Sequence, residues 1–150
     1  MNTALAQEFA TALDAILGEM RGGLAQLGSV LAAERVALHD GDTEAIDQTG
    51  ARKQALMQQL EALDAERQQF AREQPQVAAS RNPAWRELVT ALQQCQEQNL
   101  RNGNLASQRL RAVRQALAIL TGGDDDGNGL YDSGGGLRGD IMRSRPLAAA

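Results

Sequence analysis

The chain is poor in the residues that build a large compact core. Its 150 residues include only two Phe, one Trp and one Tyr, and a compact globule of this length usually has more aromatic residues. β-branched residues are also few, whereas Ala, Leu, Gln, Arg and Glu dominate, so intrinsic propensity favours helix almost everywhere. We therefore predict an all-α fold without a sheet.

Cysteine and histidine occur once each, which argues against several kinds of catalytic and metal site. Cys95 has no partner for an intrachain disulfide, and its place on an apolar helical face favours a buried thiol over a nucleophile. The Glu-x-x-His pairs of a di-iron bundle are absent, because His39 is the only histidine and lies at a predicted turn. There is no Ser/His/Asp set with a pocket-forming architecture, no P-loop and no dinucleotide fingerprint. Carboxylate pairs such as Glu61 and Asp64 are expected on exposed helix faces, so we predict no enzyme activity, no cofactor and no metal.

Long apolar runs are absent as well. No stretch reaches the roughly 18 apolar residues that a membrane-spanning helix requires. The beginning, MNTALAQEFA, lacks the basic start and apolar block of a signal peptide. We expect a soluble cytoplasmic protein without stable membrane insertion.

The net charge of −4 hides an uneven distribution. The segment from Arg81 to Arg114 carries six arginines and only two glutamates. A solvated helix face is the favoured interpretation, and an Arg-rich helix that binds RNA is the alternative. Neither interleaved aromatic residues nor a known binding motif accompanies the arginines, so we expect no nucleic-acid partner.

The first segment has the apolar periodicity of one long helix. Its repeat of eleven residues is typical of a nearly straight helix. The predicted inward positions are Leu5, Phe9, Leu13, Ile16, Met20, Leu24, Leu27, Leu31 and Leu38, with Arg35 in the remaining slot. Because four glycines interrupt this helix, we expect a bend near Gly22.

A four-residue turn joins this helix to a second one. Gly41 can adopt the left-handed conformation that ends a helix, and Asp42 can cap the next. Helices joined so tightly fold back antiparallel. The second helix follows a seven-residue repeat, best packed at its middle, through Ile46, Thr49, Lys53, Leu56, Leu60, Leu63, Arg67 and Phe70. A helix of about 35 residues is roughly 50 Å long, so the sequence predicts an elongated antiparallel coiled-coil hairpin.

A third long helix should follow a crossing loop, QPQVAASR, with Asn82 as its cap and Pro83 at its first position. Its apolar face is interrupted by the polar patch EQNLRNGN, where the spacing slips by one residue. The two halves could face different partners, or form one buried face with a local irregularity. Asn99 and Asn102 could be buried polar residues or solvated ones.

The predicted helices cover residues of about 3–39, 43–73 and 83–120, within a helical domain of residues 1–120. Residues 121–150 contain eight of the fifteen glycines and form a predicted mobile tail, since they cannot bury enough apolar area to offset backbone entropy. The tail partly matches a calcium-binding EF-hand loop at Asp124, Asp126, Asn128, Gly129 and Asp132. Its twelfth position is Gly135 instead of Glu, so we interpret the segment as an acidic linker.

The order of these features resembles the FlgN family of flagellar export chaperones over nearly the whole chain. The residues that carry the resemblance are Leu31, Glu34, Ala37, Leu38, Gly41, Asp42, Ile46, Lys53, Leu56, Leu60 and Arg67. A Pro-interrupted loop, the EQNLRNGN patch and a Leu130-Tyr131 pair in the tail follow them.

The resemblance implies a cytoplasmic type III export chaperone that binds hook–filament junction proteins before their secretion. The predicted client surface is the second half of the third helix, at Leu105, Leu110, Val113, Leu117 and Leu120. The competing interpretation is that these residues pack on the first helix. The resemblance also implies that Tyr131, beside Leu130, docks at the flagellar export gate. A generic coiled-coil adaptor or tether is the alternative function.

Overall fold

The computed structural model describes residues 2–122, and the all-α prediction is confirmed for them, since they contain no strand. The four helices are α1 (Thr3–Asp40), α2 (Thr43–Glu73), α3 (Pro75–Ser80) and α4 (Asn82–Leu120). Contacts divide the chain into two units, Met1–Leu110 and Arg111–Ala150, and of the second only residues 111–122 are described. Of the predicted mobile tail, residues 123–150, with the calcium-like pattern, lie outside the described residues.

The turn between α1 and α2 has the predicted chemistry. Gly41 ends α1 in the left-handed conformation, with φ of 69°, and its amide donates to the carbonyl of Ala37. Asp42 caps α2, its carboxylate accepting a 3.1 Å hydrogen bond from the amide of Ala45. The antiparallel hairpin is therefore fixed by two adjacent residues.

The core of the hairpin is a leucine seam, and the middle of α2 packs best, as predicted. Leu56, Leu60 and Leu63 are buried, whereas Ile46 and Thr49 nearer the turn are half-buried. The apolar residues that α1 buries in this core are Leu13, Ile16, Leu17, Met20, Leu24, Leu27 and Leu31.

Two inward positions of α1 were assigned wrongly from the sequence: Leu5 is 46% exposed, and the other is Arg35. Arg35 is exposed, and Glu34 is buried in its place. A charge is tolerated there because Lys53 of α2 pairs with the Glu34 carboxylate, their closest nitrogen–oxygen distance being 2.9 Å. The apolar periodicity alone does not show whether Glu34 or Arg35 is buried.

Gly23 allows α2 to approach α1 closely. A Cβ atom at this position would lie 3.0 Å from Leu60 Cδ2, whereas one at Gly22 would meet nothing within 4 Å. α1 is continuous through both glycines, and a bend near Gly22 stays a prediction.

The two neighbouring glycines should therefore respond oppositely to the same substitution. Gly23→Leu is expected to lower the free energy of unfolding by about 1–3 kcal/mol, because the new side chain overpacks the seam at Leu60. Gly22→Leu, its matched control, should raise it by roughly 0.5 kcal/mol, since Leu is a better helix former on an exposed face. Urea denaturation measures both changes, and equal effects would contradict the close approach at Gly23.

The loop predicted between the second and third long helices is wrong, because Pro75–Ser80 forms the short helix α3. Proline is well tolerated in the first turn of a helix, where its missing amide proton has no partner to lose. Val77 and Ala78 are half-buried against the core. This packing favours the helix where local sequence signals favoured a loop.

α4 begins one residue earlier than predicted. Asn82 is its first helical residue instead of its cap, and the carbonyl of Arg81 accepts a 3.0 Å hydrogen bond from the amide of Trp85. The Arg81 guanidinium also holds both carboxylate oxygens of Asp14, at 2.6 and 2.9 Å. These hydrogen bonds keep the pKa of Asp14 below its usual range.

α4 runs alongside α1 in a register that changes by no more than one residue. Cys95 Sγ lies 3.7 Å from the carbonyl oxygen of Leu24, and Asn102 Nδ2 donates to the carbonyl of Leu31 at 2.8 Å. Further along, Arg109 Nη1 donates to the carbonyl of His39 at 2.6 Å. The sequence separation of these pairs stays at 71, 71 and 70 residues, so the two helices are parallel.

The predicted burial of Cys95 is confirmed, and burial raises the pKa of its thiol. We expect Cys95 to react with a thiol-specific disulfide reagent at pH 8 at least about tenfold more slowly in the folded chain than in urea, because both access and the thiolate fraction are reduced. The absorbance of the released thiol measures the rate. Equal rates would contradict the packing of this part of α4 on α1.

Candidate functional site

A layer of polar side chains crosses the packed part of the three long helices. This polar layer consists of Glu34, Lys53, Asn99 and Asn102. Lys53 Nζ lies 2.9 and 3.1 Å from the two carboxylate oxygens of Glu34 and donates to Asn99 Oδ1 at 3.0 Å. Asn102 Nδ2 donates to Glu34 Oε1 at 3.0 Å.

The polar layer shows whether Asn99 and Asn102 of the EQNLRNGN patch are buried. Asn102 is buried, with 3% of its surface exposed, and Asn99 is half-buried. A charged pair in such a place is stable only when each charge has partners. Shifting α4 along α1 would separate Asn102 from Glu34, so we infer that the layer fixes the register of α4.

A second polar cluster corrects the prediction that Asp64 is exposed. Asp64 is buried, and its two oxygens accept hydrogen bonds from Arg67 Nε at 2.9 Å and Gln68 Nε2 at 2.8 Å. The guanidinium carbon of Arg67 lies 3.6 Å from the ring centroid of Trp85 on α4. Glu61, by contrast, is exposed as predicted. Asp64 is buried because Arg67, one turn further along α2, neutralises it.

The apolar residues near the end of α4 form an exposed stripe, here called the α4 ridge. Its members are Leu110, Val113, Leu117 and Leu120, which are 52%, 53%, 54% and 81% exposed. Spacings of three, four and three residues place them on one face of the helix. Leu105, the remaining residue of the predicted client surface, is half-buried and lies outside this spacing.

The ridge residues are exposed, each within its own unit. Leu110, the last residue of the first unit, is 52% exposed. In the second unit, every residue from 111 to 122 is exposed. The apolar surface of the ridge is thus accessible to a partner, and its use as a client surface stays a prediction.

Two large exposed apolar residues of α4 lie outside the predicted client surface, Leu100, which is 67% exposed, and Ile119. Ile119 is 79% exposed, but it lies nine residues after Leu110 and two after Leu117, on a different face from the ridge. The sequence did place apolar residues on two faces at the end of α4. This distribution could have indicated that neither face is deeply buried. Leu130 and Tyr131, the predicted gate-docking pair, lie outside the described residues.

Two further properties of the described part of the chain bear on the site. None of the helices within residues 2–122 is long and apolar enough to cross a membrane. Over the same range, no three His, Cys, Asp or Glu residues are grouped so that they could hold a metal ion.

Comparison with known proteins identifies the family. The model of one family, described as FlgN protein, matches residues 9–139. No curated protein and no solved structure gives a significant match. The matched range includes the turn, the polar layer and the α4 ridge, and it covers most of the chain. The chain therefore belongs to the FlgN family of flagellar export chaperones.

Proposed function

We propose that this protein is a cytoplasmic chaperone for hook–filament junction proteins, which it keeps from assembling prematurely and delivers to the flagellar export gate. The observation that carries the proposal is the α4 ridge, an unpartnered apolar face in a member of an export-chaperone family. The client would be an amphipathic helix from the C-terminal segment of a junction protein.

The ridge has the properties of a helix-binding surface. A row of apolar residues along one helix face can receive the apolar stripe of a partner helix. Full burial of one such side chain contributes roughly 1.5–3 kcal/mol, and the four ridge residues are still more than half exposed. Since ordering a flexible client offsets much of this gain, we expect a dissociation constant on the order of micromolar. Such a complex can release its client without ATP chemistry.

Leu105 is included in the proposed client surface together with the ridge. It is half-buried and would border a client helix instead of lying beneath it. Leu130 and Tyr131 are proposed to dock at the export gate, an assignment that rests on the family resemblance alone.

A titration tests the client proposal. The purified chain is mixed with C-terminal peptides of hook–filament junction proteins, and circular dichroism with light scattering follows helicity and mass. We expect a one-to-one complex with added helical signal, and no binding at tens of micromolar peptide would contradict the proposal. Tight binding to non-flagellar coiled coils instead would favour the adaptor or tether function.

A second titration separates the two proposed surfaces. Tyr131→Ala should leave the affinity for the client peptide unchanged but weaken binding to the cytoplasmic part of the export gate, because the two partners use different residues. The affinities are measured side by side with the unmodified chain. Equal loss of both would contradict separate client and gate surfaces.

A further inference from the structure

The C-terminal half of α4 is cationic although the chain as a whole is acidic. Between Glu97 and Asp124 there are four arginines and no Asp or Glu, in a protein of net charge −4. The α4 ridge lies within this segment. The basic residues near the ridge in the sequence therefore have no acidic residues among them.

The usual structural explanations do not account for Arg111 and Arg114. Arginines in the last turn of a helix stabilise its dipole, but the last turn of α4 contains no basic residue. Acids three or four residues away would form intrahelical pairs, and none occurs at those positions. Both arginines are exposed, and neither belongs to an ion pair of the described residues.

Arg114 lies at one edge of the ridge, and Arg111 lies beside Arg114, further from the ridge. Arg114 lies four residues after Leu110 and three before Leu117, so it borders both on the helix surface. Arg111, three residues before Arg114, extends the same edge away from the ridge. The opposite edge carries the uncharged Ala112 and Ala116. Arg109 is already bound to the carbonyl of His39.

We infer that the α4 ridge selects an amphipathic helix whose apolar stripe is bordered by carboxylates, which face Arg111 and Arg114. This inference rests on the proposed function, because it specifies the chemistry of the client helix. Apolar contact with the ridge supplies most of the affinity. The charges supply selectivity, orientation and association rate, and they act more weakly as salt increases.

Two model peptides test the inference with the full chain. Both have about 20 residues, enough to cover the roughly 15 Å of the ridge, and share one Leu/Ile stripe. One has Glu and the other Lys at the bordering positions. By fluorescence anisotropy the Glu peptide should bind about tenfold more tightly at about 50 mM salt, and the difference should largely vanish at about 500 mM.

Charge reversal gives the decisive comparison. The double variant Arg111→Glu/Arg114→Glu should prefer the Lys peptide. Arg86→Glu, a single charge reversal at an exposed arginine in the first turns of α4, is the control and should keep the original preference.

The other outcomes separate this inference from the proposed function. Equal binding of both peptides, insensitive to salt, would overturn the charge selectivity while leaving the ridge as a client surface. Failure of both peptides, together with binding of a junction-protein peptide, would overturn the selectivity but not the chaperone function. An RNA oligonucleotide that binds more tightly than either peptide, and loses affinity in the double variant, would overturn it in favour of a nucleic-acid surface. Self-association without peptide that ends on charge reversal would show that a second copy occupies the ridge.

Discussion

The double variant Val113→Asp/Leu117→Asp is expected to weaken binding of a junction-protein peptide by at least about 100-fold. These side chains are 53% and 54% exposed in the free chain, so completing their burial contributes roughly 1 kcal/mol each. Desolvating each introduced carboxylate against an apolar client adds at least about as much again. Isothermal titration calorimetry of the variant and the unmodified chain measures the difference.

The same variant should remain folded, because neither side chain belongs to the buried core. We expect its free energy of unfolding to change by less than about 1 kcal/mol, mainly through the lower helix propensity of Asp. Ile119→Asp is the matched control, since Ile119 is also exposed on α4 but lies off the ridge. If Ile119→Asp weakened binding as much as the ridge variant, the client would not be recognised by the ridge.

Glu34→Ala is expected to destabilise the fold by about 3 kcal/mol. The Lys53 side chain is 16% exposed and that of Glu34 is 8% exposed, so the substitution leaves an ammonium group largely shielded from water without its counter-ion. Removing one partner of a buried pair typically costs about 3–5 kcal/mol. The lower value is expected here because Asn99 still accepts from Lys53. Urea denaturation measures the change.

A double-mutant cycle shows whether pairing is the cause. Glu34→Leu/Lys53→Met replaces both charges with apolar side chains of similar size, and it should recover stability to within about 1 kcal/mol of the unmodified chain. If the single changes Glu34→Leu and Lys53→Met were simply additive in the double variant, the two residues would not be coupled. Leu56→Ala is the control, since Leu56 lies one turn from Lys53 in the buried seam. It should lower the free energy of unfolding by about 2–5 kcal/mol, and adding Lys53→Met should not restore that stability.

The hairpin could be predicted from the sequence because residues close together in the chain determine its turn. Gly41 and Asp42 end one helix and begin the next through hydrogen bonds within a few residues. The leucines at seven-residue spacing needed only an opposing apolar face to be buried. The family was likewise suggested by the order of residues along the chain.

The predictions for α3 and Asp64 were wrong because contacts with residues far along the chain determine the structure there. α3 forms because Val77 and Ala78 pack on a core built by other helices. Local signals at Pro75 favoured a loop. Asp64 is buried together with Arg67, which packs against Trp85 of α4, a contact that no spacing within α2 reveals.

By itself, the sequence determined the all-α class, the turn at Gly41 and the apolar stripe along α4, because backbone propensity and side-chain periodicity are properties of neighbouring residues. Only the tertiary structure decided which part of that stripe is buried. Within the first unit, α4 lies parallel to α1 in a register held at Leu31 and His39. Leu88 of α4 is part of the core, whereas Leu110 of the same helix is 52% exposed. Whether a leucine is buried depends on the surface that it packs against, and residues elsewhere in the chain form that surface.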